Sequence, residues 1–104
     1  MAKWAEACRT EDVDKEDAIP VEIDGKTYAI YRSPEDDYYA TDGHCTHEAF
    51  LLTEGLVMGH IIECPKHNGR FDYCTGAGKG APIREDLRTY SVKVESGTVY
   101  VDLS

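Results

Sequence analysis

The chain has 104 residues, enough for one domain with a modest core but not for a large substrate pocket as well. Its formal charge of −9 excludes ordinary nucleic-acid binding, which needs lysines and arginines to neutralise phosphate, and favours a basic protein partner. At 41% hydrophobic and 30% charged it is ordinary for a globular protein, and seven tyrosines against one tryptophan bias it toward sheet.

Met1 to Thr10 holds no long apolar run and no small-residue cleavage site, and nowhere do about eighteen apolar residues run together. The expectation is a cytoplasmic protein without a membrane segment. Trp4 is expected to anchor the first strand in the core. Acid gathers in Glu11 to Asp17 and in Glu35 to Asp37. Such a field of one sign speeds encounter with a partner more than it tightens binding.

From Val21 to Tyr31 apolar residues alternate on both sides of Asp24-Gly25, which predicts a hairpin with a tight turn. Tyr38 to Thr41 is a third strand before a turn at Asp42-Gly43. Ala49 to Thr53 offers one helical turn. Leu56 to Glu63 reads as two short strands joined near Gly59, delivering Cys64 at a strand end. Thr89 to Val94 and Thr98 to Leu103 flank Ser96-Gly97 as a last hairpin, with Tyr90, Val92 and Val94 on one face and Val99, Val101 and Leu103 on the partner strand. Many short strands and no long helical period predict an all-β antiparallel sandwich or small barrel with its site on loops, spanning 1–104 as one domain.

The chemistry lies between Cys45 and His67. Cys45-Thr46-His47 is followed sixteen residues later by Cys64-Pro65-Lys66-His67. Two soft thiolates and two imidazoles on two loops predict a metal site, either one tetrahedral zinc or a [2Fe-2S] cluster with two Cys on one iron and two His on the other. A zinc finger groups its ligands as a Cys pair and then a His pair on a helix. Here each loop supplies one of each, so each can serve both irons.

The run Cys45-Thr46-His47 with Cys64-Pro65-Lys66-His67-Asn68-Gly69-Arg70-Phe71-Asp72 resembles the Rieske cluster-binding signature. The likeness continues through Thr75-Gly76, the Gly76 to Pro82 stretch, which is similar to the family's proline loop, and the final valine-rich strands. Nearly the whole chain resembles the small Rieske ferredoxins of bacterial multicomponent oxygenases, of the aromatic-ring dioxygenase or rhizopine type. The resemblance implies a Rieske-type β fold with a two-loop cluster-binding part at about 43–83. It also implies one [2Fe-2S] cluster per chain, held by Cys45, His47, Cys64 and His67, with the outer nitrogens of the two histidines at the surface as the electron exit. The implied function is one-electron transfer from a NAD(P)H-dependent flavin reductase to a terminal oxygenase, by a monomer with no catalysis of its own.

The Rieske proteins of respiratory and photosynthetic complexes carry a disulfide between the two loops, and a Ser and a Tyr that donate to the cluster sulfurs. At the matching positions this chain has Phe50, Lys66, Gly69 and Phe71. Loss of those donors predicts a potential near the lower end of the Rieske span, about −150 mV. Cys8 and Cys74 are expected to be small buried hydrophobes, and His44 and His60 to lie outside the ligand set. Gly69, Gly76, Gly78 and Gly80 are assigned to close approach of the backbone to the cluster, and Pro65 and Pro82 to loop shape. Lys66 and Arg70 are either docking or merely solvated residues. The rival readings are a structural zinc module, an accessory subunit of an assimilatory reductase, and a redox-sensing regulatory subunit.

Overall fold

In a computed structural model describing residues 2–46, 50–65, 69–79 and 85–104, the first predicted hairpin forms as expected. Strand β2 (Asp17–Ile23) pairs antiparallel with β3 (Lys26–Arg32) through a two-residue turn in which Asp24 and Gly25 have φ of 52° and 80°. That left-handed pair matches the right-handed twist of the strands it joins, which is why Asp-Gly recurs there. Strand β4 (Tyr38–Asp42) adds to the other side of β3, leaving β2 at the sheet edge, where Pro20 costs little as a missing donor.

The last hairpin departs from expectation. The stretch expected as one strand from Thr89 to Val94 breaks at Ser91 into β8 (Thr89–Tyr90), which pairs with β4, and β9 (Val92–Glu95), which pairs with β10 (Thr98–Asp102). Ser91 is a corner where the chain changes sheets, and its carbonyl accepts the Asp102 N–H at 2.9 Å. Strand β1 (Trp4–Arg9), bulged between Glu6 and Cys8, closes the second sheet in the order β1-β10-β9. Trp4 is not the core anchor expected of it. Its ring is 38% exposed and lies under the Lys93 ammonium at 4.7 Å, an outward-facing cation–π contact.

Strand β3 is buried on both faces, and this places the two cores. Ile30 packs with Val13, Ala40, Val99 and Val101 against the β1-β10-β9 sheet. Ala29 and Tyr31, pointing the other way, pack with Leu52, Ile62, Cys64, Phe71 and Tyr73. That second core lies under a small sheet of β5 (Leu56–Met58), β6 (Ile61–Glu63) and β7 (Arg70–Asp72), with β5 and β6 joined at Gly59. Strand β7 has too few residues to show a period and was not expected. The helical turn expected within Ala49 to Thr53 is a short 3-10 turn at Leu52–Glu54, a second one lies at Thr10–Asp12, and the described residues hold no α-helix. Among them no helix is long and apolar enough to cross a membrane.

Candidate metal centre

The chain reaches Cys45 by a descent from β4 that leaves no room for a side chain at Gly43. The Gly43 N–H donates to the Thr27 carbonyl at 3.0 Å, and a Cβ there would lie 2.8 Å from the Thr27 methyl. Two residues on, the Cys45 N–H donates to the Phe50 carbonyl at 3.0 Å, pinching the first loop at its neck. His44 bridges to Leu51 just outside that neck. The second loop is built alike. Cys64 follows the last residue of β6, and its N–H donates to the Gly69 carbonyl at 2.6 Å before β7 returns the chain. In both loops a cysteine bonds to the carbonyl five residues on, and the predicted histidine lies within the closed span.

Both thiols are in the dry second core, Cys45 at 6% and Cys64 at 1% exposure, although the two residues are far apart in sequence. A buried thiolate with no counter-charge is costly, and a metal that deprotonates and neutralises it removes that cost. None of the four cysteines, all of them described, is in a disulfide. The donor chemistry therefore fits a thiolate-bound iron or zinc centre.

Cys8 and Cys74 lie apart from this arrangement. Both are half-buried rather than fully buried as expected. Burial, helped by the nearby Asp12 carboxylate, pushes the Cys8 thiol up to about 11, and burial also raises Cys74, opposed by its hydrogen bond with Tyr39. Protonated at neutral pH, they behave as packing thiols.

A third segment borders the first loop. The Thr46 hydroxyl donates to the Glu85 carbonyl at 3.0 Å, Leu87 N–H donates to the Gly76 carbonyl at 2.7 Å, and Gly78 N–H donates to the Asp86 carboxylate at 2.9 Å. Gly76, at φ 84°, approaches so closely that a Cβ would lie 2.1 Å from the Leu87 carbonyl oxygen. That close approach to the protein backbone is what requires the glycine. Gly69 lends its carbonyl to the Cys64 neck, and Gly78 bridges to Phe71.

His47, His67, Lys66, Gly80 and Pro82 lie outside the described residues. His44 is exposed, and His60 pairs with Glu35 at 2.5 Å. Arg70 is bound to Glu63 at 2.8 Å, so its charge is already engaged on its own sheet. Phe71 is fully buried and, like Gly69, has no hydroxyl to donate. Sequence reasoning missed Thr46, Tyr73 and Glu35. Their roles depend on partners 39, 14 and 25 residues away, which no local pattern announces.

Residues 3–91 match the family model of the Rieske [2Fe-2S] domain. The ferredoxin component of a naphthalene 1,2-dioxygenase system from Pseudomonas putida is 43% identical over 102 residues, covering 98% of this chain and 97% of that one. A ferredoxin of Sphingomonas yanoikuyae B1 superposes with a TM-score of 0.91 at 34% identity, covering 98% and 100% of the two chains. The chain is also similar, at 37% identity and a TM-score of 0.89 over 95% of its length and 92% of the other, to a chain in the complex of reduced oxygenase and oxidized ferredoxin in carbazole 1,9a-dioxygenase.

Proposed function

The chain belongs to the Rieske [2Fe-2S] domain family, and from that premise we propose that it is the one-electron carrier of a multicomponent oxygenase, moving electrons from a flavin-dependent ferredoxin reductase to a terminal Rieske oxygenase. The observation that carries this reading is the meeting of Cys45 and Cys64 in one dry core, each at the neck of a loop closed by the same hydrogen bond. Cys45 and Cys64 would hold one iron and His47 and His67 the other. The bound cluster supplies one-electron redox chemistry at a potential that imidazole ligands raise above that of an all-cysteine site.

The protein's part is to hold and shield. Leu52, Ile62 and Phe71, all 0% exposed, keep water from the thiolates on the core side. Gly69 and Phe71 add no side-chain donor to the cluster sulfurs, which supports a potential near −150 mV, at about the lower end of the Rieske span. That value suits electrons descending from a reduced flavin. The protein is a component of the oxygenase system and performs no turnover alone.

Docking is transient, led by a net charge of −9 that steers basic partners and weakens with salt. The carrier works as a cytoplasmic monomer, one domain over 1–104 with its cluster-binding part at about 43–83.

The deciding experiment is electron paramagnetic resonance of the purified protein before and after dithionite, with iron and zinc assayed on the same sample. A rhombic signal on reduction, with mean g below that of an all-cysteine cluster and about two irons per chain, is the expected outcome. A colourless, silent, zinc-loaded protein would make the two loops a structural staple and end the electron-transfer reading.

A further inference from the structure

The turn between β5 and β6 is gripped by the rest of the protein at four atoms. The Gly59 N–H donates to the Glu16 carboxylate at 2.8 Å, and the Gly59 carbonyl accepts the Tyr73 hydroxyl at 2.5 Å. The His60 carbonyl accepts the Tyr73 N–H at 3.1 Å, and the His60 ring meets Glu35 at 2.5 Å. Three of these contacts involve no imidazole. The fourth depends on an imidazole. Strand β6 starts at the next residue and runs without interruption into Cys64, so the turn is the far end of the lever that carries the second cysteine.

We propose that His60 is a positioning residue for the Cys64 loop: ion-paired to Glu35, it clasps the β5–β6 turn to the base sheet, and the clasp loosens when the imidazole loses its proton. The charged groups around the ring all favour its protonated form. Glu35 and Asp37 face it from the turn after β3, Asp72 from β7, Glu16 holds the adjacent Gly59, and the Tyr73 ring lies 6.0 Å away. The hydrogen bond to Glu35 raises His60 above its ordinary 6.5, opposed by desolvation and supported by the Glu35, Asp72 and Asp37 charges. The same hydrogen bond holds Glu35 below its ordinary 4.5.

The sign of the pH dependence follows. The contribution of His60 is complete below pH 6.5 and is lost as pH rises through the raised value. The contribution of Glu35 is complete above pH 4.5 and is lost as pH falls through the lowered value. The clasp is whole between the two ordinary values and opens as pH rises through the raised His60 value.

Hydrogen–deuterium exchange by mass spectrometry on the cluster-loaded protein tests this, read on the peptide spanning 56–63 across roughly pH 5 to 9 and corrected for intrinsic exchange. Wild type should lose protection there with rising pH, by about twofold to fivefold, as suits one exposed ion pair. Glu35→Gln and His60→Gln should show the low protection at every pH, while the β2–β3 peptides stay unchanged in all three proteins. A wild-type peptide whose protection is flat with pH, or a Glu35→Gln protein that follows the wild-type curve, would overturn the proposal. Because the readout is backbone exchange, it stands or falls apart from any assay of electron transfer.

Discussion

The ring of Tyr73 lies flat on the ring of Tyr31, with centroids 4.5 Å apart and planes 1° from parallel. Both rings are fully buried, one from the base sheet and one from the turn after β7, so this stack joins the β5-β6-β7 layer to the base. Burial holds both phenols well above the usual tyrosine range; the Tyr73 hydroxyl donates to the Gly59 carbonyl, and the Tyr31 hydroxyl shares a 2.8 Å hydrogen bond with that of Thr41. Tyr73→Phe should cost about 1 kcal/mol by losing one hydrogen bond. Tyr73→Ala should cost about 3–5 kcal/mol by opening a cavity between the layers. Urea unfolding of the two variants checks the order; equal costs would mean that the stack contributes nothing beyond its hydroxyl.

The four cysteines should divide cleanly. Cys45→Ser and Cys64→Ser are expected to abolish the visible absorbance and drop iron far below about two per chain, because a hydroxyl replaces a thiolate ligand. Cys8→Ser and Cys74→Ser are expected to keep both, since their thiols stay protonated in half-buried packing positions. Iron loss in the second pair would assign them a role that their surroundings do not suggest.

Thr46 sits beside Cys45, and its hydroxyl donates to the Glu85 carbonyl. Thr46→Val should release iron to a chelator faster while costing about 0.5–1.5 kcal/mol of stability, and Thr46→Ser should restore the wild-type rate. If serine fails to restore it, the methyl group rather than the hydroxyl does the holding.

At Gly76 two objections to a side chain coincide, the left-handed φ of 84° and the Leu87 oxygen 2.1 Å from any Cβ. Gly76→Ala should destabilise by at least about 1–3 kcal/mol and break the Leu87 N–H to Gly76 carbonyl bond. A thermal midpoint unchanged from wild type would contradict the close approach.

Transfer to a basic partner should slow as salt rises, because screening shortens the reach of the acidic field to about 10 Å at 0.1 M. Stopped-flow mixing of reduced carrier with oxidised oxygenase gives the rate directly. A rate independent of ionic strength would remove steering from the account.

Much of this architecture is legible in the sequence where local chemistry is decisive. Asp24-Gly25 fixes a hairpin because few other residue pairs tolerate two left-handed conformations in succession, and Gly59 marks the β5–β6 turn for a similar reason. Cys45 and Cys64 stand out because paired Cys-His loops are rare. What the sequence hides depends on distant partners. The alternation through Tyr90, Val92 and Val94 runs unbroken across Ser91, so nothing local shows that Tyr90 belongs beside Ala40 and Val92 beside Val101. Trp4 looks like a core residue by composition and is turned outward by the register of β1 on β10.

The pairing of β1 with β10 also bears on how the molecule is made. Val99 and Val101, which wall the first core against Ile30, are supplied by the last strand, whereas Cys45 and Cys64 come off the ribosome much earlier. The nascent chain thus exposes the Ile30 side of β3, and both edges of β1, until β10 has been made. The core on that side of β3 is therefore completed last, when β10 slots in beside β1, whereas the core that holds Cys45 and Cys64 draws on strands made earlier.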